Sequence, residues 1–438
     1  MSIGGTIRRI GYYLRDTLLN PSGTRIHEQW RDIEHTMSNF DTGWLRVQRA
    51  LDNCLQYAAE KSPFYKGYGG KKLHDFPVMD KMQFIKHYDE IKSVDFKEIE
   101  LHKSSTSGST GTPFVVLQNR AKRNRVLAEL QYWGERVGYR SHEKMIFFRA
   151  SHPVPFWSMF WSNVWQYDIA SMKKTRAEEL FKLQSRKHPR ALIAYASTFD
   201  YLVANWLEEG KTGAPSVRTV FSGSEVLTLT TRDRIEQFWP NAKAYSRYSN
   251  IENGMLAQEC GEIGVFEICW ASYYIEVLKF EVDEPAPIGE LGRIVVTDLY
   301  NQAFPMIRYD TGDCGSLEYG PDGWLRLTNL TGRRVDFIYD TNGEICSPHL
   351  ITNTLWGCKD ILQYQFIQTG EKTYEIAYVA KDKKKAEEAL SDRLISLKAK
   401  LGKDAQISLN LLTEIPVLAS GKRKSVVQRW KINHSQTK

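Results

Sequence analysis

The residues best suited to chemistry lie in one short run, Thr106–Pro113, which reads Thr-Ser-Gly-Ser-Thr-Gly-Thr-Pro. Glycine lets a backbone approach a ligand and take positive φ. Successive amide N–H groups and hydroxyls can then cradle phosphate oxygens. No Gly-Lys-Ser/Thr follows, so the run is not a Walker loop. On composition alone, a flexible linker and a phosphate cradle are equally good readings. The apolar stretch Phe114–Leu117 behind it, read as a strand, favours the cradle slightly. Glu252, Asp313 and Lys422 are further candidates with plain alternatives: a surface acid, a turn residue in Asp-Thr-Gly-Asp, and a solvated lysine in a basic tail. Cys54, Cys260, Cys269, Cys314, Cys346 and Cys358 form no C-x-x-C pair and have no His cluster nearby. That argues against zinc and for reduced thiols in the cytoplasm.

Elements that could position these residues are legible in the hydrophobic pattern. Residues 25–60 read as helical. Strands at Met145–Phe148, Ala191–Tyr195 and Thr219–Ser222 alternate with helices at 176–186, 199–209 and 228–238. Such alternation means an α/β layer with a largely parallel sheet. From about Phe266 the texture is β-rich, which suggests a barrel or antiparallel sheet attached to that layer. After Arg333 a unit of about a hundred residues follows, a suitable size for one small domain. The chain is expected to be α/β, with a large domain over residues 1–333 and a small α+β domain over 334–438. The chain has 438 residues, too many for one small core. Its net charge of +7 is mild at this length and suits an anionic small molecule, not nucleic acid. Residues 6–19 could form a basic amphipathic helix that touches a membrane surface, although a helix packed on the domain is the plainer expectation. The aromatic run Phe156, Trp157, Phe160, Trp161 and Trp165 has helical spacing, which suggests buried packing or the wall of a pocket.

The order of the motifs carries more information than any one of them. The loop Thr106–Pro113 resembles the phosphate loop of the adenylate-forming superfamily. Tyr248-Ser249-Asn250-Ile251-Glu252, Tyr309-Asp310-Thr311-Gly312-Asp313, Thr331-Gly332-Arg333 and Ser420-Gly421-Lys422 resemble four further motifs of that superfamily, in its order. Ser62-Pro63-Phe64-Tyr65, Phe76-Pro77-Val78-Met79-Asp80-Lys81, Ala257-Gln258-Glu259-Cys260 and Pro305-Met306-Ile307-Arg308-Tyr309 are similar to its phenylacetate–CoA ligase and CapK-like branch.

The resemblance implies roles. Thr106, Ser107, Gly108, Ser109, Thr110 and Gly111 would hold phosphates of ATP. Gly223, Ser224 and Glu225 would line the adenine pocket, with Tyr248 stacking nearby and Ser249 beside it. Glu252 would ligate Mg2+, Asp313 would accept from the ribose hydroxyls, and Arg333 would sit near ribose and phosphate. Lys422 would reach in from a mobile small domain as the catalytic cation. Tyr195, Ala196 and Ser197 would border the acid. The chemistry is coherent: an acid must attack the α-phosphorus of ATP, and the magnesium ion and the lysine would offset the charge that builds up. Two departures stand out: Thr112 where the family has lysine, and Val335 at the family's hinge position. The expected activity is conversion of a small carboxylic acid to an acyl-adenylate, then transfer to coenzyme A. The alternatives are transfer to a separate amine or sugar acceptor in capsule or exopolysaccharide synthesis, and a non-catalytic nucleotide-binding relative.

Overall fold

The computed structural model describes residues 3–105, 114–149, 154–169, 174–333, 338–346, 351, 354–355, 358, 360–415 and 425–430. Thr106–Pro113 and Lys422 lie outside the described residues, as does the side chain of Arg333.

Three helices open the chain: α1 (Ile3–Leu19), α2 (Ile26–Met37) and α3 (Phe40–Lys61). In α3, Asn39 accepts a hydrogen bond from Thr42 N at 3.1 Å and so caps the first turn. Val47, Leu51 and Leu55 recur every fourth residue and are buried. Ser62 turns to extended backbone and Pro63 follows, which ends the helix. Two short helices, α4 (Lys81–Lys86) and α5 (Tyr88–Ile91), precede the antiparallel pair β1 (His102–Ser105) and β2 (Val115–Gln118).

The α/β layer then forms. Helices α6 (Arg120–Arg136), α7 (Phe156–Ser162), α8 (Lys174–Lys187), α9 (Ala196–Glu208) and α10 (Leu229–Phe238) are interspersed with five strands. These are β3 (Met145–Phe148), β4 (Val164–Tyr167), β5 (Ala191–Ala194), β6 (Thr219–Gly223) and β7 (Lys243–Asn250). They pair in parallel in the order β4-β3-β5-β6-β7. Six antiparallel strands continue from the other edge of β7: β8 (Gly254–Glu259), β9 (Phe266–Ile268), β10 (Tyr273–Leu278), β11 (Gly292–Asp298), β12 (Tyr309–Tyr319) and β13 (Leu325–Arg333). Their order outward is β8-β9-β13-β12-β11-β10, giving one 11-stranded sheet. The β-rich region is therefore hydrogen-bonded edge to edge with the α/β layer, and β7 is the seam between them.

Separate cores follow this division. One packs α2, α3 and the Tyr65–Phe84 segment on the antiparallel strands. Another lies between the parallel strands and α8, α9 and α10. A third belongs to the small C-terminal domain, where β16 (Ile361–Gln368), β17 (Thr373–Ala380), β18 (Gln406–Leu411) and β19 (Val426–Gln428) surround the helix Lys383–Leu401. Before these come two short strands, β14 (Ile338–Tyr339) and β15 (Ile345–Cys346). β19 falls where the sequence reads as a basic tail, and it pairs in parallel with β16.

The aromatic run departs from expectation. Asn163 takes a left-handed φ of 55° and ends α7, so Trp165 sits on β4 instead of extending the helical stripe. No residue of α7 is buried.

Candidate active site

Tyr248 lies near the C-terminal end of the seam strand, the edge at which open α/β sheets hold ligands. Its hydroxyl is 3.0 Å from Asp313 Oδ2 and 3.3 Å from Thr311 Oγ1. Burial, and then the charge of Asp313, push the Tyr248 phenol well above its ordinary range. It therefore remains a proton donor to that carboxylate.

Asp313 reaches Tyr248 through an irregularity in β12. Pairing with β11 holds at Val295–Asp310 and at Arg293–Cys314, with a register shift between. Gly312 takes φ 75° there, a conformation that costs glycine nothing. Thr311 Oγ1 donates to Ile294 O at 2.9 Å and accepts from Asp313 N at 3.1 Å, which fixes the bulge. On the other edge Asp313 lies in register with Arg333. The two acids of this motif have different work. Asp310 accepts from Arg293 Nη1 at 2.8 Å and from Gly312 N at 2.9 Å, so it braces the strand.

Glu252 sits on the turn between β7 and β8. Asn250 Oδ1 accepts from Asn253 N at 2.7 Å, an Asx turn that starts the reversal. The Tyr273 hydroxyl lies 2.9 Å from Asn253 O and 2.8 Å from Glu129 Oε2, and Met255 N donates to the same Glu129 oxygen at 3.3 Å. Lys122 Nζ is 3.0 Å from the Tyr273 hydroxyl and 2.7 Å from Asp298, and both charged side chains of that pair are fully buried. Burial pushes the Glu129 carboxyl up, while Lys122 and Arg125 pull it down. Gly254 takes φ 135°, and a Cβ there would stand 2.5 Å from the Tyr273 hydroxyl. The turn is thus clamped from beneath. Glu252 itself is half-buried and accepts from the Tyr309 hydroxyl at 3.3 Å.

The expected adenine and acid borders meet on the neighbouring strand ends. Gly223 of β6 is in register with Arg247 of β7, one residue before Tyr248. Ser224 follows with an unusual φ of 65°. Glu225 then accepts from Ser197 N at 2.8 Å and Ser197 Oγ at 3.1 Å. Tyr195, at the N-cap of α9, makes no side-chain cap, so Glu225 caps that helix from the next strand. Ala196 is buried and Ser249 is exposed.

Two buried arginines here have roles that the motifs did not assign. Arg308 takes φ 49°, and its Nε and Nη2 donate to the two oxygens of Glu276, each at 3.1 Å. Its Nη1 donates to Phe76 O at 3.0 Å, Met79 N donates to Arg308 O at 3.0 Å, and Asp310 N donates to Met79 O at 2.9 Å. The two signatures around Met79 and Arg308 are therefore one structural joint. Arg247 is also buried; its Nε donates to Gln258 Oε1 at 2.8 Å and its guanidinium lies 3.5 Å from the Phe221 ring centre. Burial pushes its pKa down to about 9. The Asn-x-x-Asn-Gly spacing at 250–254 was the available sign of a tight turn.

Known proteins share this architecture. The crystal structure of 2-hydroxyisobutyryl-CoA ligase in the postadenylation state, in complex with R3-HIB-AMP, superposes with a TM-score of 0.72 at 18% identity over 90% of both chains. Protein CapK of Staphylococcus aureus is 23% identical over 428 residues, 92% of each chain. Residues 338–429 match the CapK C-terminal domain. The chain is thus similar to CapK over nearly its whole length, and it shares the fold of 2-hydroxyisobutyryl-CoA ligase. Phenylacetate-coenzyme A ligase of Pseudomonas putida is 34% identical over 119 residues, 26% of this chain and 27% of its own. The same 2-hydroxyisobutyryl-CoA ligase, with 2-HIB-AMP and CoA in the thioesterification state, gives a TM-score of 0.56 at 21% identity, covering 90% of this chain and 91% of that one.

Proposed function

We propose that the protein uses ATP to convert a carboxylic acid to an acyl-adenylate, releasing pyrophosphate, and then passes the acyl group to coenzyme A. The observation that carries this reading is the pair of acids, Asp313 under Tyr248 and Glu252 under Tyr309, assembled on the seam edge of this fold. In this reading Asp313 accepts from the ribose hydroxyls; an ionised carboxylate has acceptor capacity beyond its bond to Tyr248. Gly223, Ser224 and Glu225 border the base, and Tyr195, Ala196 and Ser197 border the acid. Thr106, Ser107, Gly108, Ser109, Thr110 and Gly111 hold the phosphates, and Arg333 stands near them.

Among the described residues no group of three or more His, Cys, Asp or Glu side chains could hold a metal. Magnesium still fits, because it is held by one or two carboxylates together with substrate phosphates. Glu252 suits that role: one oxygen accepts from Tyr309, and the other has no partner among the described residues. When bound, the ion would neutralise phosphate charge as the acid attacks. Lys422 would approach the same charge from the small domain, with residues 1–333 and 334–438 moving against each other. The lower TM-score to the neighbour's thioesterification state, 0.56 against 0.72, supports a domain rotation of this kind. A cytoplasmic setting, where ATP and coenzyme A are supplied, follows.

A second reading keeps the adenylate but gives the acyl group to an amine or hydroxyl, as on a sugar. It is favoured by the similarity to CapK, which spans 92% of the chain where that to the Pseudomonas ligase spans 26%. Pyrophosphate release with an acid library, read together with mass spectrometry of the adenylate, tests the common step. Silence with every acid would remove both readings. Coenzyme A should then consume the adenylate; persistence until an amine or sugar is added would favour the second. Lys422→Ala should lower adenylation by about two orders of magnitude or more, and an unchanged rate would refute its role.

A further inference from the structure

Helix α1 is turned inside out. Ile7, Ile10, Leu14 and Leu18 are 65%, 55%, 61% and 83% exposed. Their spacing of three, four and four residues puts them on one stripe. A helix packed on a soluble domain turns such a stripe inward. Here the inward side is polar. Asp16 is buried and accepts from Ile26 N at 3.0 Å and His27 N at 3.2 Å, so it caps α2. Arg9 pairs with Glu135 at 2.9 Å, and the Tyr12 ring lies 4.4 Å from that of His142.

Helix α7 extends the apolar surface. Phe156, Trp157 and Trp161 are 55%, 68% and 50% exposed. The Arg8 guanidinium lies 4.8 Å from the Phe160 ring centre and joins the two helices. Cations border the patch. Lys144 Nζ donates to Lys187 O at 2.7 Å, and Lys187 Nζ lies 4.6 Å from the Trp165 ring centre. Burial, and then the charges of Lys187 and Arg8, push Lys144 below its ordinary pKa, so these groups crowd one another. Arg15 is exposed, and the single acid of α1, Asp16, faces inward.

We propose that α1 and α7 together form a docking surface for a bilayer rich in anionic lipid. Exposed aliphatic residues, indole rings at the margin and a cationic border match the interfacial layer of such a membrane. No helix among the described residues is long and apolar enough to cross one, so the contact is peripheral. A second copy fits less well, because a two-fold contact places the same cations opposite one another.

The full chain is tested by co-sedimentation with vesicles of phosphatidylcholine alone and of phosphatidylcholine mixed with phosphatidylglycerol. Binding is expected to the mixed vesicles, to weaken with salt, and to fall about ten-fold in Leu14→Glu/Leu18→Glu. Trp157→Ala/Trp161→Ala should reduce it by a smaller factor. Thermal unfolding and pyrophosphate release without vesicles should match wild type in both variants. Failure of the wild type to bind, or equal binding by all three proteins, overturns the proposal. So does a wild-type dimer in sedimentation velocity that Leu14→Glu dissociates, with no vesicle binding.

Discussion

The two sides of the seam strand hold their site residues in opposite ways. On the antiparallel side, the Glu252 turn rests on a buried polar chain running through Tyr273, Glu129, Lys122 and Asp298. On the parallel side, Ser224 and Glu225 stand at an open strand end, and Glu225 binds a helix terminus. Buried charges are held by geometry and lose heavily when a partner is removed. Strand-end groups such as the half-exposed Glu225 depend on bonds that water can replace. The antiparallel side should therefore act as the fixed jaw of the site and the parallel side as the adjustable one.

The largest effect is expected from Lys122→Met, which strands Asp298 in the core and should cost about 3–5 kcal/mol in urea unfolding. Arg234→Ala, on the parallel side, removes a pair with Asp200 at 2.6 Å, whose side chains are 15% and 22% exposed, and a bond to Ile361 O at 3.1 Å, and should cost about 1–2 kcal/mol. Equal losses would erase the contrast between the jaws.

Acid comes next and should strike beside the parallel side. Burial, with the charges of Arg9 and Arg8, pushes His142 from 6.5 down to about 4. Its folded pKa is depressed, so the native state holds it neutral while the unfolded chain takes up a proton. The stability it contributes is present above pH 6.5 and is lost as pH falls toward 4, by about 3 kcal/mol. His142→Gln should flatten that limb of a stability-versus-pH curve; an unchanged slope would assign the acid limb to other groups.

Gly254→Ala should cost roughly 2 kcal/mol, since alanine is strained at φ 135° and its Cβ would meet the Tyr273 hydroxyl. Pyrophosphate release should drop further than stability alone explains, because the Glu252 turn shifts. Full activity at a temperature where the variant is folded would show that the clamp does not position Glu252. The smallest effect is expected for Glu225→Gln, about 1 kcal/mol from a weakened cap on α9. A loss as large as that from Lys122→Met would mean that the parallel side is no more adjustable than the other.

The fold was largely visible in the sequence, because strands such as Gly292–Asp298 carry β-branched runs between clear turns. The two layers were visible, but not their union in one sheet, since the pairing of β7 with β8 and β9 with β13 is set by packing. In the site, Glu252, Asp313, Tyr248 and Ser197 were named from motifs, and the structure brings Tyr248 to Asp313 and Ser197 to Glu225. That Asp310 braces while Asp313 faces Tyr248 depends on a bulge, which leaves little trace in composition. Helical spacing misled at Trp165 because a single left-handed residue, Asn163, breaks the helix. β19 was hidden because three residues carry too weak a pattern to announce a strand.

The joint at Arg308 also sets a schedule. Its guanidinium binds the carbonyl of Phe76, 232 residues earlier in the chain. Contacts this far apart form late, since the loop must close before they contribute. A ribosome releases the Phe76–Lys81 segment long before its partner. Until Arg308 emerges, that segment has no strand to lie against, and the edge carrying Asp313 is not yet made. A chain interrupted before residue 308 could thus fold its parallel layer and still lack the edge that carries Asp313, so the proposed activity would report completed synthesis as well as correct folding.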